Sequence, residues 1–538
     1  MITKTNVPSS AGKIKTHPIN DLLLDNTDKK FLMFVLYYNQ AIIRRLGRYN
    51  VAQILDTAFG KNDIRGIYGK DITEDLFYFI GKGFVKYLVE KSKKDPTEMW
   101  ITVTMDARTH SPSLSKSLIN GVISTGANVV DLGLAPTPIG YYSEVVGIDP
   151  RCTEGNDVIA ALIVTASHNP SQYNGLKMTY NKHSLNESQI NEVRELTFAQ
   201  IGVAEVPCVV GKVNTYDLIP DYTEVMKKNF GRVGEGIKVV VDSANATGGV
   251  VAPNLYRALG CQVVELYSNP DGRFPHHHPN PSDEKTLTDI KRTVLAEGAD
   301  FGIAFDGDAD RIGVIDSQGR SMTGDKLLLL YAQDVIEKMP EGAKKPIIVS
   351  EVKCSQVLYD TINEIGGEAV MCKTGHGYIK GKMKETGAIL AGEMSGHTFF
   401  KDRYHGFDDA PYAGCRIIEI VANHKRKNPD FKIEDLLTPF EAVFSSLEVR
   451  FTCENELKKA TLKSFEKEVR DNKDMFGTPI KDIVTLDGLR IVFEDGFALI
   501  RQSNTEPVFT LRFEAKDEES AVRYEEVMVE SLKQILKG

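Results

Sequence analysis

The most constraining feature of this sequence is a three-part pattern that occurs three times between residues 101 and 397, with a period the size of a domain. The opening segments read ITVTMD (101–106), KVVVDSANATGG (238–249) and IIVSEV (347–352), each followed by a helix-length stretch. The second segments are led by glycine: GANVVDLG from Gly126, GCQVVELY from Gly260 and GGEAVMCK from Gly366. The third end in ALIVTASHNP, FGIAFDGDADR and AILAGEMSGH, where an apolar run too short to alternate delivers a polar cluster to its carboxyl end. Apolar strands separated by helix-length segments imply mostly parallel sheets with helices on both faces. Open α/β sheets bind ligands at the carboxyl ends of their strands. The chemistry is therefore expected in the three polar clusters.

A chain of 538 residues is too long for one core. The repeat predicts three similar α/β domains in series, at residues 57–210, 211–320 and 321–435. After about residue 435 the pattern breaks, and strand-like GFALIRQSN and VFTLRFEA followed by a helical stretch from Asp517 predict an α+β domain over 436–538. Residues 1–56 stand outside the repeat. Their apolar residues fall at helical spacings, which predicts one or two amphipathic helices packed on the body in preference to a partner-binding arm.

A net charge of -9 argues against a general nucleic-acid binder, which needs a basic field. The seven cysteines are scattered and odd in number, so neither a disulfide framework nor a zinc knuckle is signalled, and a reducing cytoplasm is expected. The apolar run at 31–38 is too short to span a bilayer and lacks a cleavage site, so no membrane partner is expected.

Ser167, in TASHNP, occupies a loop that continues through SQYNGLK to Lys177; alone it reads equally well as a polar turn. No GxSxG elbow surrounds it, which weakens an acyl-transfer reading. In DGDADR, Asp306, Asp308 and Asp310 alternate with small residues, so their carboxylates can converge, and like charges so crowded call for a cation. Oxygen ligands favour magnesium. An EF-hand would need glycine where Arg311 stands and glutamate where Ser317 stands. GEMSGH offers Glu393, Ser395 and His397 as a set for sugar hydroxyls, and KTGHGYIK adds Lys373, His376 and Lys380. RQSNTEP presents Arg501, Ser503, Asn504 and Thr505 after a strand, where a guanidinium fork and successive amides suit phosphate. The triple histidine His276 to His278 is a poor ligand set, because adjacent side chains on an extended chain diverge.

In order, TASHNP, DGDADR, GEMSGH and RQSNTEP resemble the four signature loops of the α-D-phosphohexomutase superfamily, in its phosphomannomutase/phosphoglucomutase branch. NDIRGIYG (62–69), RFPHHHPNP (273–281) and GEMSGHTFFKDRYHGFDDAPYAGCR extend the resemblance over residues 57–538. It implies three related α/β domains and a fourth α+β domain around a central active-site cleft. It also implies a mutase that exchanges hexose 1-phosphate and hexose 6-phosphate, of mannose and/or glucose, through a phosphoserine and a hexose 1,6-bisphosphate. By the same resemblance Ser167 looks like the phosphoserine and, with Asp306, Asp308 and Asp310, like the magnesium-binding set. Arg65, His168 and Arg311 resemble the residues beside the phosphoserine, and Lys177 a proton carrier, with a histidine as the other candidate base. Glu393, Ser395, His397 and His376 look like the sugar contacts, and Arg501, Ser503, Asn504 and Thr505 like the grip on the phosphate that is not transferred. The expected partner is a small hexose phosphate bound to a monomer or weak homo-oligomer. Two features depart from the pattern: Asn62 stands where the branch often has an aromatic residue, and Glu506 where it often has threonine. A metal-assisted phosphatase and a non-catalytic sugar-phosphate sensor are the rival readings; the first would release inorganic phosphate, the second would exchange none.

Overall fold

The computed structural model describes residues 56–203, 209–503 and 507–537. The helices expected before residue 57 lie outside the described residues. Four sheets follow one another along the chain, and the first three share one plan. Its opening strands are Trp100–Met105, Lys238–Asp242 and Ile347–Glu351; its second strands are Asn128–Leu134, Gln262–Leu266 and Glu368–Cys372. Its third strands are Val158–Val164, Phe301–Phe305 and Leu390–Gly392. A fourth strand closes each unit: Tyr173–Tyr180, Ile312–Ile315 and Thr398–Phe400. The spatial order is second, first, third, fourth in every case.

The first three strands of each unit run parallel, as the apolar runs predict. Every fourth strand runs antiparallel to the third. The reason lies in the connection: a short hairpin loop can join only antiparallel neighbours, whereas parallel ones need a crossover. Those hairpin loops are the polar clusters. The glycines that lead the second strands repeat one backbone conformation, with φ of 96° at Gly126, 99° at Gly260 and 102° at Gly366. That region is open to glycine and costly to other residues, which is why the sequence repeat is visible there.

Helices Ser111–Ile123, Ala252–Ala258 and Gln356–Glu364 carry the chain from first to second strand in the three units. Helices Thr137–Val145, Thr288–Glu297 and His376–Thr386 carry it from second to third. The three units share an apolar cluster that runs through Trp100, Tyr142, Tyr222, Tyr256, Ile303 and Leu328. At its centre Tyr222 Oη donates to both carboxylate oxygens of Asp409 at 3.0 Å.

The last sheet is antiparallel throughout, in the order Phe444–Ser445, Val508–Ala515, Phe497–Gln502, Leu489–Val492, Asp482–Val484. Helices Asn455–Asp471 and Glu518–Lys537 add Phe465, Tyr524 and Met528 to a core of its own. Buried arginines tie this domain to the third unit. Arg490 Nη1 donates to Val352 O at 2.6 Å and Cys354 O at 2.9 Å, with its guanidinium 3.5 Å from the Phe497 ring centre. Arg512 Nη1 donates to Lys353 O at 2.6 Å. No described helix is long and apolar enough to cross a membrane.

Arg490→Leu would leave both carbonyls buried and unpaired, at about 1–3 kcal/mol each. The expected result is a last domain that unfolds at lower urea concentration than the rest, read as a split transition by tryptic cleavage after residue 440.

Candidate active site

Ser167 sits in the hairpin loop between Val158–Val164 and Tyr173–Tyr180, 1% exposed, with φ at 50°. A non-glycine residue held there costs about 1–3 kcal/mol and persists only where its surroundings enforce it. The surroundings do. The Ser167 amide donates to Thr165 Oγ1 at 2.9 Å, and its carbonyl accepts from Arg108 Nη2 at 2.8 Å. The hydroxyl is thereby turned across the domain boundary, donating to Asp306 Oδ2 at 2.7 Å. His168 Nδ1 lies 3.3 Å from Ser167 Oγ, and the neighbouring guanidinium of Arg311, with burial second, holds the His168 pKa well below the usual histidine range.

The metal loop closes on this serine. Asp306, Asp308 and Asp310 are all at most 1% exposed, and each offers a carboxylate oxygen within 4.8 Å of the others. Burial and the two neighbouring carboxylates push Asp306 well above the usual range. Burial also opposes the charge on Asp310, yet Lys177 and His397 outweigh it and hold that group well below its usual value. Lys177 Nζ donates to Asp308 Oδ2 at 2.8 Å and to Asp310 Oδ2. Burial works against its charge as well, but the two aspartates outweigh that and raise its pKa well above the usual lysine value. Asp308 Oδ1 is buried without a hydrogen-bond partner, and Asp310 Oδ1 has only the 3.3 Å approach of His397 Nε2. An orphaned carboxylate oxygen in an all-oxygen set fits a hard divalent cation. From the first unit, Thr137 Oγ1 donates to Asp308 Oδ2 at 2.6 Å.

Arg65, on strand Ile64–Ile67, donates to Asn169 Oδ1 at 2.7 Å and Asp63 Oδ2 at 2.5 Å, beside the serine loop. The loop of Glu393, Ser395 and His397 is joined to the aspartate loop by an isolated bridge between Arg311 and His397, with Ile312 N donating to Gly396 O at 3.1 Å. His397 lies between two carboxylates, Nδ1 2.9 Å from Glu393 Oε2 and Nε2 3.3 Å from Asp310 Oδ1. Burial disfavours its charge, but Asp310 and then Glu393 prevail and push it up to about 9. As an imidazolium it donates on both sides, so the 3.3 Å approach of Arg311 Nε to Nε2 is then a contact without a hydrogen bond. Glu393 is pushed down to about 2: burial alone would raise it, and the bond to His397 outweighs burial. Ser395 Oγ is 3.1 Å from His397 Nδ1. His376, whose ring centre is 5.7 Å from that of His397, goes the other way, lowered to about 4 by burial and then by Lys380.

His376 also lines a cavity of about 1380 Å³ between the first and third units, with Asn62, Tyr141, Tyr378 and Lys380. Ser167 and the aspartates are not on its wall, so this cavity borders the site without containing its chemistry. In the last domain Arg501, 8% exposed, donates through Nε to Asp487 Oδ2 at 3.2 Å. The same oxygen accepts from Thr374 N at 3.1 Å, which links this loop to the one before His376. Ser503 N donates to Val508 O at 3.1 Å and closes the loop. Asn504, Thr505 and Glu506 lie outside the described residues. The histidine run is occupied elsewhere: His276 Nδ1 is 2.6 Å from Asn245 Oδ1, and His277 Nε2 is 3.0 Å from Asp242 Oδ2. Sequence reasoning passed over Arg108 and Thr137; their only signal was a place just past the ends of the first and second strands.

Gly307 lies hard against the serine loop, since a Cβ there would stand 2.3 Å from Ser167 O. Gly307→Ala is expected to push the serine from Asp306 and to lower kcat by about 10², read in steady-state kinetics with thermal melting as the control.

Four family profiles match the chain in order: phosphoglucomutase/phosphomannomutase alpha/beta/alpha domain I over residues 56–201, domain II over 220–319, domain III over 323–440, and the C-terminal domain over 448–531. The chain is 38% identical over 477 residues to a phosphomannomutase/phosphoglucomutase of Pseudomonas aeruginosa, covering 89% of this chain and 96% of that protein. It is 36% identical over 472 residues to a phosphoglucomutase of Neisseria gonorrhoeae, covering 88% and 95%. A crystal structure of a phosphoglucomutase/phosphomannomutase family protein from Burkholderia thailandensis superposes with a TM-score of 0.78 at 35% identity, over 90% of this chain and 99% of that one. With every domain matched in series and such identity over nearly nine-tenths of its length, the chain belongs to the phosphoglucomutase/phosphomannomutase family of phosphohexomutases.

Proposed function

We propose that this chain interconverts the 1-phosphates and 6-phosphates of mannose and/or glucose, with Ser167 as the phosphoryl carrier and a hexose 1,6-bisphosphate as intermediate and activator. The observation that carries this reading is the 2.7 Å bond from Ser167 Oγ to Asp306, which brings a nucleophile on one domain against the buried carboxylates of the next. In the forward step the phosphoserine P–O bond breaks and a new bond forms to the free sugar hydroxyl. The hydroxyl proton has an acceptor in neutral His168; Lys177, the other candidate, would first have to give up the proton that its two aspartates hold on it. The bisphosphate turns end for end, and its other phosphoryl returns to Ser167 Oγ.

Asp306, Asp308, Asp310 and phosphorylated Ser167 would hold Mg(II). Bound there, the ion would offset charge on the transferring group. Arg65 and Arg311 border the same loop and add positive charge. Glu393, Ser395, His397 and His376 are assigned to the sugar, and Arg501, Ser503, Asn504 and Thr505 to the distal phosphate. Domain limits near residues 57, 211, 321 and 436 belong to this reading, as do a monomer or weak homo-oligomer and a cytoplasmic setting, with which the free described cysteines accord.

Ser167→Ala is expected to lower mutase turnover by about 10³-fold or more and to abolish phosphopeptide recovered from wild-type protein at that position; full turnover in the variant would refute the carrier assignment. Stripping divalent cations with a chelator is expected to abolish turnover, and Mg(II) to restore it. A coupled assay on mannose 1-phosphate, glucose 1-phosphate and glucosamine 1-phosphate reads that recovery and ranks the substrates, the first two ahead of the third.

A further inference from the structure

We propose that Arg108 is a positioning residue for phosphoryl transfer, holding the backbone of the serine loop so that Ser167 Oγ faces Asp306; this rests on Ser167 being the phosphoryl carrier. Arg108 follows the opening strand Trp100–Met105 and is 1% exposed. Every N–H of its guanidinium has an acceptor. Nε donates to Asp106 Oδ2 at 3.0 Å, Nη1 to Pro170 O at 2.6 Å and Tyr173 O at 3.1 Å, and Nη2 to Ser167 O at 2.8 Å and Asn169 O at 2.6 Å. Three of the five acceptors are carbonyls of the serine loop and a fourth is that of Tyr173, the first residue of its return strand, so one planar group sets where the backbone of residues 167 to 173 stands.

The arginine is itself fixed. Asp106 Oδ1 accepts from Arg108 N at 3.0 Å and from Ser111 Oγ at 2.5 Å. From the second unit, the Phe274 ring lies 5.3 Å from the guanidinium carbon. Gly272, beside it, approaches so closely that a Cβ would stand 2.5 Å from Arg108 Cα. Phe274 of the RFPHHHPNP motif thus supplies a cover for this arm. The cover explains the motif's position without invoking a metal.

Arg108 bears on the chemistry through the Ser167 backbone. With φ at 50° and its carbonyl held by Arg108, the serine has its hydroxyl aimed across the domain boundary. Releasing that carbonyl lets the peptide rotate and takes Oγ off the line of transfer, where a displacement of about 1 Å costs on the order of 10² in rate. Lysine cannot replace the fork, because an ammonium has three donors diverging from one point.

The test uses full-length Arg108→Lys and Arg108→Ala. It reads kcat and KM for glucose 1-phosphate, the rate at which label passes from glucose 1,6-bisphosphate to Ser167, and the thermal midpoint. Expected are a kcat and a labelling rate lower by about 10², a KM within about threefold, and recovery of the alanine variant by guanidinium ion with none by ethylammonium. A folded variant with kcat near wild type overturns the proposal, as does a kcat loss that guanidinium fails to recover. Where both variants fail to fold, Asp106→Asn keeps the guanidinium and weakens its anchor; slower Ser167 labelling at unchanged KM supports the proposal, and labelling at the wild-type rate overturns it. Label on another residue of the wild type overturns the serine assignment and this proposal with it, whereas label on Ser167 with an indifferent Arg108 overturns the proposal alone.

Discussion

The rest of the site depends on one buried ion cluster in which Lys177, from the first unit, reaches two aspartates of the second. Three carboxylates this close and this dry repel one another strongly, and each charge out of water needs a partner. Removing one partner from such a cluster typically costs about 3–5 kcal/mol, because a charge is left buried and unpaired. The serine loop, which runs into the strand that carries Lys177, is therefore drawn against the metal loop by charge as well as by the shared apolar core. One carboxylate oxygen, Asp308 Oδ1, remains without a donor. The cluster is compact without being saturated, which is the state expected of a cation site whose neutralisation is shared between a lysine and an ion.

The hairpin plan explains how such a cluster comes to be made. In each unit the loop between a buried parallel strand and its antiparallel return is short, so the side chains on it have few degrees of freedom. The second and third of these loops pair directly through Arg311 and His397. The first meets the second at Gly307. Their surroundings then sort the two histidines: His397, between carboxylates, is an imidazolium, and His376, lowered by burial and then by Lys380, is neutral. One offers protons at neutral pH and the other a lone pair, although their ring centres are only 5.7 Å apart.

Much of the fold was legible because it is repeated. Glycine leads each second strand for a local steric reason, and local reasons leave marks in sequence. The polar clusters were legible for a related reason: Asp306, Asp308 and Asp310 at alternate positions in a loop have little purpose unless they converge. The antiparallel return strands were less so. Ile312–Ile315 and Thr398–Phe400 are four and three residues long, and their direction follows from a connection length and not from composition.

What the sequence by itself determined is the order and identity of the parts: three strand-ended clusters and a fourth polar loop, each written within a few neighbouring residues. What only the tertiary structure decided is which side chains share charge. Lys177 and Asp310 are 133 positions apart. Nothing local marks them as partners, and nothing local marks Arg108 as the clamp on a loop 59 residues further on. Electrostatic energy in a dry interior depends on distances of a few ångströms between such groups. Those distances are set by how the sheets pack, so the charge states of the site came into view only with the fold.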